Sequence, residues 1–265
     1  YGCEDAFHAR GVLRTADEVL LELAPATAGM IVAIGHPLLT EYGLLDTACL
    51  LVDGAVAGFT GKQHLASDGL HYEPRWFKPC PVDVVTEVRI GETTVPAGDL
   101  VYRFGDLGVG FEVCEDAWAP DRPAAALARR GVDLILNPSA SHFAFGKYAV
   151  RRQLVLEAAR AFGVGYVYAN LVGNEAGRAI YDGSALIAAG SRLVAEGRRF
   201  GFRDVELTAA TLTNRLAEWR YATPAGQRQL EGLSAAQASK WREPTSTKHG
   251  QLRVHEDEEG ELGFW

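Results

Sequence analysis

The stretch GFEVCEDAWAP, Gly110–Pro120, carries an apolar run into a single cysteine, sets two acids directly after it, and ends in an aromatic and a proline. An apolar run that stops in a turn and leads towards a helix reads as a buried strand whose end opens on a cleft. A nucleophile at such a junction is lifted off the sheet edge, with backbone N–H groups of the turn close by. Cys114 is therefore a candidate nucleophile. Taken alone it is better read as a small inert core residue, because free cysteine is among the most buried residue types.

Working outward, the same rhythm of short apolar runs and turn residues recurs. Leu100–Val113 reads as a hairpin with Gly105-Asp106 at its turn, and Val132–Ser141 as a continuous apolar strand. Upstream, Met30–Leu39 reads as a buried strand, Thr47–Lys62 as two runs joined by Asp53-Gly54, and Val82–Val95 as another hairpin. Two helices are predicted. Asp121 caps the first, with Pro123 in its first turn and Ala124–Arg130 as its body. The second runs over Lys147–Phe162, with Leu154, Ala158 and Phe162 on one face and Gly163 as its stop. Strands are expected at Val164–Val172, Ile180–Ala189, Arg192–Gly197 and Asp204–Leu212. Hairpins mixed with helices predict an α/β layered sandwich. After about Ala222 the chain becomes polar and turn-rich, then acidic at His255–Glu261, which reads as a linker or tail; Leu262–Trp265 reads as the start of a further element.

Composition narrows the function. Hydrophobic residues make up 48% of the 265, enough for a substantial core. Acids outnumber bases, 34 to 26, for a net charge of −8, which argues against nucleic acid or an anionic membrane as partner. No apolar run approaches the ~20 residues that span a bilayer, and no signal peptide is visible. None of the four cysteines, Cys3, Cys49, Cys80 and Cys114, lies in a C-x-x-C pair, so a zinc knuckle or redox dithiol is not indicated. Free thiols fit a reducing cytoplasm. No His, Asp and Glu cluster has metal-ligand spacing.

A reactive cysteine needs a cation or donors nearby, and Glu115 and Asp116 work against that. Lys62, at the end of its own strand after Gly58 and Gly61, is the candidate; alone it would read as a solvated surface lysine. Glu115 or Asp116 suits the α-ammonium group of a glutamine-like substrate, whereas acids facing water describe Asp116 at least as well. His64 and His142 have no orienting partner in the sequence.

Four segments together resemble one family. They are GKQHLASDGLHYEPRWFKP (Gly61–Pro79), GFEVCEDAWAP, NPSASHFAFGK (Asn137–Lys147) and GNEAGRAIYDGSALIAAGSRLVAEGRRF (Gly173–Phe200). Over residues 1–222 the chain resembles the glutaminase domain of glutamine-dependent NAD+ synthetases, a branch of the nitrilase (carbon–nitrogen hydrolase) superfamily. The resemblance implies a nitrilase-like α-β-β-α four-layer sandwich, N-terminally truncated, with residues 223–265 as a linker towards a synthetase domain. It implies a Glu–Lys–Cys triad with Cys114 as nucleophile and Lys62 as oxyanion donor. It implies Glu73 as a supporting acid and Ser141 and Lys147 in the glutamine pocket. Asp68 stands where some members carry tyrosine. The triad glutamate is implied in a Pro-Glu segment upstream of Tyr1, so the chain as given is expected to be inactive; Glu4 matches a non-catalytic acid.

The resemblance further implies L-glutamine as substrate, a synthetase domain of the same polypeptide as partner, a homo-oligomer, and the cytoplasm as compartment. No cofactor is implied for this part; ATP and Mg2+ are expected only with the SGGxDS-type loop of a synthetase domain, which the sequence lacks. Two other readings stay open: a stand-alone amidase for a different small amide, and a non-catalytic docking or regulatory fragment.

Overall fold

A computed structural model describes residues 3–175, 178–213 and 261–264. After a 3₁₀ turn at Glu4–His8 comes α1 (Arg10–Leu23), a helix the reading above missed, and then β1 (Ile31–Thr40), β2 (Gly43–Val52) and β3 (Ala55–Gly61). Asp53 and Gly54 both take positive φ, 48° and 83°, as a two-residue hairpin turn requires, and they join β2 to β3 as expected. β4 (Val85–Ile90) and β5 (Thr93–Gly98) form the second hairpin. The five strands make one sheet in the order β1-β2-β3-β5-β4. The expected strand at Met30–Leu39 exists as β1, but it is an edge strand and only partly buried.

The second sheet holds β6 (Tyr102–Phe104) and β7 (Leu107–Phe111), the third hairpin. A 3₁₀ turn at Cys114–Trp118 leads to α2 (Ala124–Arg129), β8 (Leu134–Ser139), α3 (Lys147–Phe162) and β9 (Gly165–Asn170). β7, β8 and β9 are parallel neighbours, so each connection must cross over, and α2 and α3 are those crossovers. Asp121 does not cap α2: its carboxylate lies 3.0 Å from His64 Nε2, while the Ala124 N–H is taken by Glu112 at 2.8 Å. α3 has the expected bounds and ends at Gly163, φ 63°. Its buried face is Arg151, Val155, Ala158 and Ala159, with Leu154 and Phe162 only half-buried.

The expected strand at Ile180–Ala189 is broken in two. Gly183 and Ser184 both take positive φ, 68° and 77°. The break lets β11 (Ala179–Asp182) leave the sheet and pair with β10 (Val172–Glu175), while β12 (Leu186–Ala189) pairs with β9 and with β13 (Arg192–Glu196). Of the strand expected at Asp204–Leu212 only the end forms, as β14 (Ala210–Thr213), which pairs with β15 (Glu261–Phe264). The expected linker from 223 to 260 lies outside the described residues. Among the described residues no helix is long and apolar enough to cross a membrane.

Three apolar clusters define four layers. Cys49, Leu51 and Phe59 of the first sheet pack with Leu20 of α1. Ala48 and Leu50 point the other way, onto Phe111 and Leu134 of the second sheet. Ile135 and Tyr166, on that sheet's far side, pack with Leu127 of α2 and Val155 of α3. Alternation along β2 thus serves two cores at once, and the α-β-β-α sandwich follows.

Gly98 sits where β5 meets both β3 and β4, with φ 136°, and a Cβ there would run into the backbone carbonyl of Val84. Gly98→Ala is expected to destabilise the fold by about 2 kcal/mol, the cost of an unrelieved clash in a packed sheet. Thermal denaturation followed by circular dichroism should show a midpoint lower by about 4–8 °C.

Candidate active site

Parallel strands bring their C-terminal ends to one edge, and the site is built there. Cys114 follows β7 and takes φ 49°, a left-handed conformation rare outside glycine. It starts the 3₁₀ turn, so it stands clear of the strand. Ser139 ends β8, and it and Ala140 line the same cleft as Cys114. Lys62 follows β3 from the other sheet and is 1% exposed. Far from being a surface lysine, it puts Nζ 2.7 and 2.6 Å from the two oxygens of Glu73 and 3.6 Å from Asp46 Oδ2.

Each partner is itself held. Glu73, itself buried, opens a 3₁₀ turn, Glu73–Arg75, and accepts the Ala66 N–H at 2.8 Å. Asp116 is buried, which overturns its reading as an acid facing water. Its Oδ1 accepts the N–H groups of Gln63 at 3.0 Å and His64 at 2.7 Å, and its Oδ2 accepts that of Val113 at 2.8 Å. The residues after Lys62 and the residue before Cys114 are therefore pinned to one carboxylate.

The electrostatics separate Cys114 from the other thiols. Burial pushes Cys49 up to about 12 and Cys80 up to about 11. Burial also raises Cys114, but the Lys62 charge and the Ala140 N–H act in the opposite direction. For Lys62 burial alone would favour the neutral amine; the negative charge of Cys114, Asp46 and Glu73 and the Glu73 hydrogen bonds outweigh it, and the lysine is held above its ordinary range.

A cleft of about 760 Å³ reaches Cys114, Lys62, Glu73, Asp46, Ser139 and Asn170. The residues expected to hold substrate sit beside this group. Ser141 donates its N–H to Asn170 at 2.8 Å, and its hydroxyl is buried without a protein partner. Lys147, at the start of α3, lies 5.5 Å over the Trp118 ring, and burial lowers its pKa. Glu115 is half-buried and held above its ordinary range by burial and then by the exposed Asp68. Lys147, Asp68 and Glu115 thus share one field, with Lys62 behind it.

Several members escaped the sequence. Asp46 stands mid-strand in β2 with no motif around it. His64 does have partners, Asp116 at 3.1 Å and Asp121 at 3.0 Å. His142 faces His71, ring nitrogens 2.9 Å apart. Ser139 and Asn170 lie at the ends of apolar strands, a position whose only sequence signal is the change from apolar to small polar residues. Among the described residues no group of three or more His, Cys, Asp or Glu side chains is placed to hold a metal ion.

Comparison with known proteins converges on one description. No protein-family model matches the chain. A putative glutamine-dependent NAD(+) synthetase of Schizosaccharomyces pombe is 31% identical over 223 residues, and the glutamine-dependent NAD(+) synthetase of Saccharomyces cerevisiae 34% over 223. Each match takes in 80% of this chain but only 32% and 31% of the relative, so the chain spans about a third of the length of these proteins. Among solved structures, a glutamine-dependent NAD(+) synthetase from Cytophaga hutchinsonii has a TM-score of 0.71 at 41% identity, over 78% of this chain and 35% of that one. A carbon-nitrogen hydrolase from Helicobacter pylori shares the fold, with TM-score 0.65 at 19% identity over 90% of this chain and 80% of that one.

Asp116 generates two expectations. Asp116→Ala strands three backbone N–H groups and should cost at least about 2 kcal/mol in denaturant unfolding. The Asp116 hydrogen bond, followed by the charges of Asp116 and Asp121, raises the His64 pKa above its ordinary 6.5. A raised pKa in the folded state means stability that is full below 6.5 and lost as pH rises through the higher value. His64→Gln should therefore flatten the loss of stability above pH ~6.5, read as melting temperature against pH.

Proposed function

The chain is homologous, over 80% of its length, to glutamine-dependent NAD(+) synthetases and has a nitrilase-superfamily fold, and from that premise we propose that it is the glutamine-hydrolysing part of such an enzyme. The observation that carries the reading is the buried ammonium of Lys62, held by Glu73 beside the Cys114 turn. That arrangement suits attack of a thiolate on a carboxamide. A general base takes the Cys114 proton, the sulfur attacks the carboxamide carbon of glutamine, and Lys62 with a backbone N–H of the turn holds the oxyanion. Ammonia leaves with a proton from the base, and water hydrolyses the thioester to glutamate. Glu115 faces the α-ammonium group of glutamine, and Ser141 and Lys147 line its pocket, with Lys147 suited to the α-carboxylate.

Glu73 and Asp46 are both engaged on Lys62, and Asp116 on three N–H groups. The base in this proposal is the glutamate that the resemblance implies upstream of Tyr1. Ammonia passes to a synthetase domain of the same polypeptide, which uses ATP and Mg2+ to amidate deamido-NAD+; no cofactor is proposed for the part described. Four free thiols accord with a cytoplasmic enzyme, and a homo-oligomer completes the proposal.

In the full-length protein Cys114→Ala is expected to abolish glutamine-dependent synthesis and to spare synthesis from added ammonia. Cys49→Ala and Cys80→Ala should retain glutamine use. Equal loss of the ammonia-driven reaction would refute the assignment. Lys62→Ala should reduce glutaminase activity by at least ~10²–10³, the usual cost of one oxyanion donor, and Lys62→Arg should not restore it, since a planar fork cannot replace a compact ammonium. Residues 1–265 alone should release glutamate from glutamine ~10²–10⁴ more slowly than a chain extended through the Pro-Glu segment. Comparable rates would make an internal acid the base, with Glu73 the first to test.

A further inference from the structure

His142 lies in the loop between β8 and α3, and the chain is fixed on both sides of it. The Asn170 side chain holds the Ser141 backbone twice, accepting its N–H at 2.8 Å and donating to its carbonyl at 3.0 Å. The Phe143 N–H donates to the Ile180 carbonyl of β11 at 2.7 Å. The ring presented in this way meets two nitrogens at one atom. His142 Nδ1 lies 2.9 Å from His71 Nε2 and 3.4 Å from Lys147 Nζ.

An ammonium has hydrogens to give and no lone pair, so Lys147 can only donate. Two ring nitrogens 2.9 Å apart share one proton, one donating and one accepting. With the Lys147 charge against it, His142 Nδ1 is the acceptor. His71 therefore carries a proton on Nε2, and His142 carries its own on its far nitrogen, Nε2. The Lys147 ammonium sits between the lone pair of Nδ1 and the Trp118 ring, 5.5 Å from the ring centroid. Trp118 closes the 3₁₀ turn that Cys114 opens, so the lysine is anchored to the same turn as the sulfur.

We propose that His142, set by His71, is a positioning residue for Lys147: its unprotonated Nδ1 holds the ammonium where a substrate carboxylate meets it, and a proton on Nδ1 releases the lysine and with it the substrate. The proposal rests on the reading of Lys147 as part of the glutamine pocket. Protonation turns the acceptor into a second cation 3.4 Å from the first. Burial, the Lys147 charge and then His71 keep the His142 pKa below its ordinary 6.5, with Asp68 opposing them and Arg151 adding to them. His71 is held down by burial, Lys147 and Lys62, against Asp68 and Glu175. Lys147 itself feels Arg151, Cys114, Asp68 and Glu115. The pair is therefore neutral at ordinary pH, and the release belongs to pH below 6.5.

In the full-length protein, kcat and KM for glutamine are measured against pH. KM should rise as pH falls below 6.5, approaching about tenfold per pH unit once His142 is protonated, with kcat much less affected. His142→Asn keeps an acceptor near the place of Nδ1 and does not titrate, so it should hold the wild-type KM at neutral pH and lose the acid rise. His142→Leu removes the acceptor and should raise KM about 10-fold at every pH, the effect of one hydrogen bond to a charged group. A second measurement needs no substrate. Competitive acetylation of Lys147, followed against pH by mass spectrometry of its peptide, reads the ammonium directly. Its midpoint should fall by about one pH unit in His142→Leu, where the charged form has lost its acceptor, and stay in place in His142→Asn. An unmoved midpoint in His142→Leu, a flat wild-type KM in acid, or an acid rise that survives in His142→Asn overturns the proposal. The expected midpoint shift in a protein with no glutaminase activity would sustain the hold on Lys147 and sink the functional reading.

Discussion

The carboxylate of Asp116 accepts N–H groups from Gln63 and His64 after β3 and from Val113 after β7, and so ties one sheet of the sandwich to the other at the site. Lys62 and Cys114 come from different sheets, which meet elsewhere along a mainly apolar shared core, with a hydrogen bond from Thr60 to the Tyr102 hydroxyl at 3.3 Å within it. Apolar contact is non-directional and tolerates small slips between layers. Three hydrogen bonds to one buried acid do not, since each lost bond leaves a buried donor unpaired. The geometry between an ammonium and a sulfur is thus set by a group that takes no part in the proposed chemistry.

Around that fixed point the charges balance. A lysine 1% exposed is costly unless paired, and Glu73 and Asp46 pair it. The arrangement explains why a cluster with several acids can still serve a thiolate. Glu73 and Asp46 are occupied by Lys62, and Asp116 by backbone. The sulfur then meets first the cost of its burial, next the opposing charge of Lys62, and after that a smaller raising effect of Glu73. On the far side of β7, Glu112 and Arg122 anchor a second polar system inside the helix-facing core, and Tyr166 and Asn137 carry its orientation back to Ser139.

Much of this architecture is legible in the order of the residues. Asp53-Gly54 and Gly105-Asp106 stand between alternating apolar runs, and local turn chemistry is enough to make them hairpins. Lys147–Phe162 ends at a glycine that only a left-handed stop needs, so its bounds are local facts too. Cys114 and Lys62 stand out as candidates because each follows an apolar run at its polar end, but the roles given to them come from the resemblance. The failures share a cause. The break at Gly183-Ser184, the pairing of β10 with β11, the edge position of β1 and the release of Asp121 from α2 to His64 depend on partners distant in the chain.

Residue types and their spacing were sufficient for the layered α/β class, for most hairpins and for α3, because these depend on contacts a few residues long. Folding in three dimensions alone decided that Lys62 is buried rather than solvated, that Asp46 shares it with Glu73, and that Asp116 is an internal brace. The reason is that burial and hydrogen-bond direction are properties of neighbourhoods. Residues 46, 62, 73, 114 and 116 become neighbours only when two sheets close face to face.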